Sequence, residues 1–367
     1  MEENGLEVRE DAVGNVFGRL PGTDPSLAPV WTGSHIDTVL NAGMFDGNAG
    51  VISGMEALRL IKESGKQNKR DIEVIIYTSE EPTRFGLGCL GSRTMAGELT
   101  AEEMKTIVDK DGMSLAQVLE SLGKNLEEIK DVKRKSGDVH AAVELHVEQG
   151  AVLDTRGIEI GVVTTISAPT DIRVSVFGTQ EHAGATPMDM RKDAMSAAAE
   201  IMLGLEGLAR NSKDYSTVAT VGKVEVLPGS TNVIPGQVNF SIDIRSADME
   251  DKEMLISKLK AIVSCVENVR NVKVNLEIVT HDAPADADPH VIETIRGICD
   301  EDVVNYNMMV SGAYHDSMFV SKFAPFGMIF VPSKNGISHH IDEWTDFEDI
   351  AAGTDILAET LFRLSNE

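Results

Sequence analysis

Apolar residues at Val51, Met55, Leu58 and Ile61 recur at helical spacing and predict an amphipathic helix over 51–64. On either side lie apolar runs of strand length, Val-Trp-Thr-Gly at 30–33 and a longer one at 71–78, and a third follows at 141–145. Strand, helix, strand in that order predicts a largely parallel sheet. Ligands of such sheets collect at the carboxyl ends of the strands. The period then changes. Ile172, Val174 and Val176 alternate with polar residues, as do Phe240, Ile242 and Ile244, and then Val272, Val274, Leu276 and Ile278, the pattern of strands with one buried face. Helices are expected near 194–208 and 252–266. The tail returns to the first pattern, with a helix after Pro289, a strand at 328–331 and a helix over 347–364. The chain therefore reads as an α/β protein. A domain with a mostly parallel central sheet, residues 1–165 and 277–367, is interrupted by a smaller α+β domain, residues 166–276.

Length agrees with two cores rather than one, since the chain has 367 residues. The formal net charge of -26 argues against nucleic acid or an anionic membrane as partner, because both would repel it. The apolar runs at 74–77 and 328–331 are too short to span a bilayer. Cys89, Cys265 and Cys299 are too widely spaced for a CxxC metal site or a disulfide framework, and they suit a reducing cytoplasm. The start, Met-Glu-Glu-Asn-Gly, is acidic and lacks the apolar stretch of a signal peptide.

Three of the expected strand ends carry the chemistry. His35 closes the first run and Asp37 follows two residues on, so on a continuing strand both would face the same way and Asp37 could orient or polarise the imidazole. Glu80 and Glu81 follow the second run. Adjacent residues on an extended chain point apart, so one can bind metal while the other moves a proton. His146 follows the third run, within Glu-Leu-His-Val-Glu-Gln-Gly at 144–150. Asp46, in a turn just before the predicted helix, could cap that helix or bridge two metal ions. His339 and His340 are adjacent after Gly336, and the residues themselves do not choose between them. Three imidazoles, a carboxylate that can be shared, a second carboxylate ligand and a spare one make the inventory of a two-metal hydrolase. Ligands of this type, with no thiolate, suit Zn, Mn, Co or Ni alike. In the smaller domain, His182, Asn232 and Arg245 could hold a substrate, the guanidinium as a bidentate fork for a carboxylate.

Taken in order, these segments resemble peptidase family M20, and within it the carbamoylase branch of N-carbamoyl-L-amino acid hydrolases, allantoate amidohydrolases and ureidoglycolate amidohydrolases. The resemblance rests on Gly-Ser-His-Ile-Asp-Thr (33–38), Phe-Asp-Gly (45–47), Glu-Glu (80–81), the 144–150 segment, His-Ala-Gly-Ala-Thr-Pro-Met (182–188), Asn-Val-Ile-Pro (232–235) and Ile-Ser-His (337–339). It implies that His35, Asp46 and His146 bind one divalent ion and that Asp46, Glu81 and His339 bind another. Asp46 would bridge the two, and Glu80 would be the general base. It also implies His339 rather than His340, and substrate contacts from Gln149, His182, Asn232 and Arg245. The smaller domain would act as a lid and dimerisation domain in a homodimer. Zn or Mn would be the expected metals, and the substrate a small ureido or carbamoyl acid that releases ammonia. Two further stretches, Glu-Glu-Pro-Thr-Arg-Phe-Gly (80–86) with Cys-Leu-Gly-Ser-Arg (89–93), and Ala-Tyr-His-Asp-Ser (313–317), look most like the ureidoglycolate branch, which makes Tyr314 a candidate substrate contact. An aminoacylase or dipeptidase of the same family is the nearest alternative activity, and a non-catalytic binding protein on the same fold is a different class. Family members usually carry a further stretch before the segment matching residues 2–22, including helices that pack on the catalytic sheet.

Overall fold

The computed structural model describes residues 1–367, and the chain divides into two compact units, Met1–Thr165 with Asp286–Glu367, and Ile166–Ala285. The first unit is built on a nine-stranded sheet. It uses strands β1 (Glu7–Glu10), β2 (Val16–Leu20), β3 (Val30–His35), β4 (Ile72–Tyr77), β5 (Ala141–Val147) and β6 (Ile160–Ile166), joined late in the chain by Ala285–Asp286, Tyr306–Ser311 and Phe326–Val331. Across the sheet the order is β1-β2-β4-β3-β5, then Phe326–Val331, then β6. The four central neighbours, β4, β3, β5 and Phe326–Val331, run parallel. Both flanks turn antiparallel, through β2 on one side and β6 on the other.

The sequence dictates this arrangement. Every residue of β3, β5 and Phe326–Val331 is buried, so these strands read as continuous apolar runs rather than as alternation, the mark of a parallel sheet covered on both faces. Helix α1 (Asn48–Glu63) and the helix Phe347–Ser365 place Leu58, Ile61, Leu357 and Leu361 into one core with Val74, Leu145 and Ile329 of the sheet. Burial of each such side chain contributes about 1.5–3 kcal/mol.

In the second unit, Lys273–His281, Ala168–Phe177, Gln237–Ser246 and Val218–Leu227 form a four-stranded antiparallel sheet in that order. Helices Ala194–Arg210 and Met249–Arg270 share one apolar core with it, through Ile201, Leu205, Leu259 and Val263 packed with Ile172, Val174, Phe240 and Ile242. The unit ends at Ala285, later than the 276 suggested by the sequence. Lys273–His281 pairs with Ala168–Phe177 as far as His281, so the chain cannot leave this sheet at 276. No helix is long and apolar enough to cross a membrane.

Candidate metal centre

The carboxyl ends of the four central parallel strands lie along one edge of the sheet. His35 pairs with Tyr77 in register, and His146 pairs with Phe330. The strand order also reverses here, since β3 connects forward to β4 on one side while β5 lies on the other, and ligands gather at such a switch point.

His35, the last residue of β3, has a side chain 2% exposed, and its Nδ1 lies 2.9 Å from the carbonyl oxygen of Asp37. His146, in β5, is equally buried, with Nδ1 2.9 Å from the Val147 carbonyl oxygen. A carbonyl only accepts, so each ring carries its proton on Nδ1 and turns the lone pair of Nε2 inward. Both lone pairs face one oxygen, Asp46 Oδ1, at 3.6 Å from His35 and 3.3 Å from His146. The Gly47 N–H, 3.2 Å from His146 Nε2, agrees with an accepting nitrogen there. The other carboxylate oxygen, Oδ2, lies 3.0 Å from His339 Nε2, which is in turn 3.6 Å from Glu81 Oε1.

Lone pairs that converge on a carboxylate call for a cation between them. The donor set is also right for one: His35, Asp46 and His146 offer ligand atoms within 4.8 Å of one another, and so do Asp46, Glu81 and His339. Imidazole and carboxylate without thiolate is the chemistry of Zn, Mn, Co or Ni sites. Without an ion, the charges respond to one another. Burial alone would raise the Asp46 carboxyl, but with no ion Nε2 of each ring takes a proton as well: burial opposes this at His35 and His146, Asp46 favours it at all three histidines, and their hydrogen bonds hold Asp46 far below the usual range. Burial lifts Glu80 well above the ordinary carboxylate value, helped by the charges of Asp316, Glu81 and Asp46 against the opposing pull of His35. Glu80 Oε2 lies 3.8 Å from His35 Nε2, at the edge of the cluster.

Several expectations take a definite form. Asp46 does not cap α1; Gly47 holds the cap position without a side-chain bond, and the Asp46 carboxylate faces the histidines. His339 reaches the cluster, whereas His340 accepts the Asp342 N–H at 3.1 Å within its own loop. Asp37 lies beside His35, but β3 ends at His35 and the same-face rule no longer holds two residues on: the carbonyl of Asp37 is 2.9 Å from Nδ1 and its Oδ1 is 3.8 Å away. Its carboxylate instead accepts the N–H groups of Glu80 at 3.2 Å and Glu81 at 3.0 Å, fixing the turn that presents both acids. The Gln149 amide donates to Asp46 Oδ2 at 2.9 Å. In the second unit, His182 Nδ1 accepts from the Gly184 and Ala185 N–H groups, Asn232 is exposed and its carbonyl accepts the Ala183 N–H, and the Arg245 guanidinium bonds Asp243.

Four buried residues around the cluster went unseen in the sequence: Glu343, Glu144, His315 and Asp316. Glu144 lies with His146 and His315 within ligand distance, but its two oxygens accept the hydroxyls of Ser34 at 2.8 Å and Ser317 at 2.6 Å, so it braces the floor beneath His146. His315 stacks edge-on against His146, with ring centroids 4.6 Å apart. The available signal was the run Tyr-His-Asp-Ser at 314–317, polar residues leading directly into a buried helical turn, Ser317–Val320. This run also meets the 89–93 segment: Arg93 donates to the Tyr314 hydroxyl, and Ser92 donates to Asp316.

The model of peptidase family M20/M25/M40 matches residues 31–363. Ureidoglycolate hydrolase of Oryza sativa subsp. japonica is 43% identical, over 100% of this chain and 76% of its own length. The N-carbamoyl-L-amino-acid amidohydrolase of Paenarthrobacter aurescens is 39% identical, over 98% and 87%. Among solved structures, AtUAH in complex with glyoxylate superposes with a TM-score of 0.89 at 42% identity, covering 99% of this chain and 88% of that one. Motif, fold and relatives agree: the chain belongs to peptidase family M20/M25/M40 and is a hydrolase of carbon–nitrogen bonds.

Proposed function

We propose that the protein is a two-metal amidohydrolase that cleaves the terminal C–N bond of a small ureido or carbamoyl acid and releases ammonia, with ureidoglycolate first and N-carbamoyl-L-amino acids second. The carrying observation is Asp46, whose two oxygens face separate partners: His35 and His146 on Oδ1, His339 on Oδ2. One divalent ion would be held by His35, Asp46 and His146, and another by Asp46, Glu81 and His339. Bound there, the ions supply Lewis acidity, which acidifies a water and polarises a carbonyl. Glu80 is buried, poised at high pKa and bound to no cation by an ion pair other than its approach to His35. It takes the proton of the attacking water as the new C–O bond forms and returns it to the nitrogen as the C–N bond breaks.

The substrate ranking draws on two observations. The segments most like the ureidoglycolate branch, 89–93 and 313–317, join through Arg93 and Tyr314, and the rice relative bears that activity in its name. The second reading is favoured by the Paenarthrobacter relative. Gln149, His182, Asn232 and Arg245 are the proposed substrate contacts, and the smaller unit the proposed lid and dimer contact of a homodimer. The three cysteines are unpaired, in keeping with a cytoplasmic enzyme.

Glu80→Gln tests the base. It is expected to retain metal and lose turnover, and a near-normal rate would sink the assignment. A substrate panel with added Mn, Zn, Co or Ni tests the rest. Ammonia from ureidoglycolate or N-carbamoyl amino acids is the expected product, whereas amino-acid release from dipeptides or N-acyl amino acids would point to the aminoacylase or dipeptidase activity instead.

A further inference from the structure

Glu343 is 3% exposed and commits both carboxylate oxygens to neighbours of the cluster. Oε2 accepts the backbone N–H groups of Phe45 at 2.9 Å and Asp46 at 3.1 Å. Oε1 accepts the Ser338 hydroxyl at 2.7 Å. Ser338 Oγ in turn accepts from Gln149 Nε2 at 3.3 Å, and the same amide donates to Asp46 Oδ2 at 2.9 Å. Glu343, Asp46, Gln149 and Ser338 thus close a hydrogen-bonded ring across three distant stretches of chain. Gly43 makes room for it, since a Cβ at that position would fall 2.3 Å from the Cβ of Glu343.

The two sides of the centre need this ring unequally. His35 and His146 stand on buried central strands, each with its ring fixed by a backbone carbonyl. His339 stands in a loop, with φ 54° and a side chain 51% exposed. Its ring meets Asp46 Oδ2 at 3.0 Å and the Gln149 amide at 3.4 Å, and its chain neighbour Ser338 is the residue that Glu343 holds. Partners that orient ligands are commonly worth 10- to 100-fold in metal affinity (a general order of magnitude, about 10–100).

We infer that Glu343 is a positioning residue: one carboxylate fixes the Asp46 backbone and the His339 loop together and thereby sets ion binding at the Asp46–Glu81–His339 side. The inference rests on the two-metal reading above. Its test is titration of the full chain with Zn²⁺ against a competing chelator, in wild type, Glu343→Ala, Glu343→Gln and Ser338→Ala, each checked for fold by circular dichroism.

Wild type is expected to take up two ions. Glu343→Ala should bind one with wild-type affinity and the other roughly 10- to 100-fold more weakly. Glu343→Gln should lie between, because its amide oxygen still accepts the Phe45 and Asp46 N–H groups. Ser338→Ala should weaken the same ion alone. Equal weakening of both ions, or no change in either, overturns the inference. If Glu343→Ala does not fold, the other two variants decide by the same asymmetry. A wild type that takes up fewer than two ions overturns the two-metal reading and this inference with it.

Discussion

His339 Nε2 lies 3.0 Å from Asp46 Oδ2, while the next residue, His340, turns away to accept a backbone N–H in its own loop. Two neighbouring histidines therefore carry unequal consequences. His339→Ala is expected to remove one ion and lower kcat by on the order of 100-fold or more, beyond the usual effect of disturbing a ligand's supporting partner. His340→Ala should leave both within about twofold, in line with an exposed residue away from any buried network. Metal analysis and steady-state kinetics on the pair check this directly.

Gly47 adjoins Asp46 at φ 66°, and a Cβ there would sit 2.5 Å from ring atoms of His35. Gly47→Ala therefore combines left-handed strain with a clash against a buried imidazole. It is expected to destabilise the fold by roughly 1–3 kcal/mol, measured by urea unfolding. Because the ring it displaces is a proposed ligand, metal affinity should fall as well.

Asp316 is wholly buried, and its carboxyl is raised to about 7, first by burial and then by the charge of Glu144, against the Ser92 hydrogen bond. Its Oδ2 has no hydrogen-bond partner. The folded state holds this proton after the unfolded chain has released it near 3.8. The contribution to stability is thus full below 3.8 and is lost as pH rises towards 7, at about 1.4 kcal/mol per unit for one group. His339, raised by its contact with Asp46, acts in the same direction above its ordinary 6.5. The metal-free protein should therefore be more stable at pH 5 than at pH 7.5. Asp316→Asn should flatten that slope in urea titrations across the range.

Arg93 donates to the Tyr314 hydroxyl and lies over the Phe319 ring, 4.2 Å from its centroid. Tyr314→Phe removes an acceptor from a half-buried guanidinium while keeping the ring. If the Arg93–Tyr314 pair shapes the substrate site, the ratio of kcat/KM for ureidoglycolate over an N-carbamoyl amino acid should fall roughly tenfold. An unchanged ratio would assign the pair to packing alone.

Three of the proposed ligand segments were legible because an apolar run leads directly into His35, the Glu80–Glu81 pair and His146, whereas Asp46 and His339 stand in a turn and a loop and gained weight only from the ordered set of motifs. The choice of His339 over His340 was not legible from spacing. It depends on a loop whose course is set by Ser338 and Glu343, both remote from Asp46 in sequence. Glu343 itself was invisible because the backbone N–H groups that Oε2 accepts lie nearly 300 positions away and leave no mark on its own neighbourhood. Which atom of Asp37 meets His35 was not legible for a related reason: the two-residue periodicity ends with the strand, and the sequence does not show where β3 stops. The later end of the smaller unit followed from pairing that continues past the last clear apolar position.

The strand Phe326–Val331 lies between β5 and β6, which are consecutive in the chain but not adjacent in the sheet. A nascent chain that has emerged only through β6 must leave this slot open, with two rows of unpaired backbone groups on apolar strands. The slot closes only when residues 326–331 arrive, and His339 follows them by a few residues. Closure of the sheet and arrival of His339 thus share a late stretch of the chain, and a ribosome-bound chain stalled before residue 326 would present the facing edges of β5 and β6 unpaired.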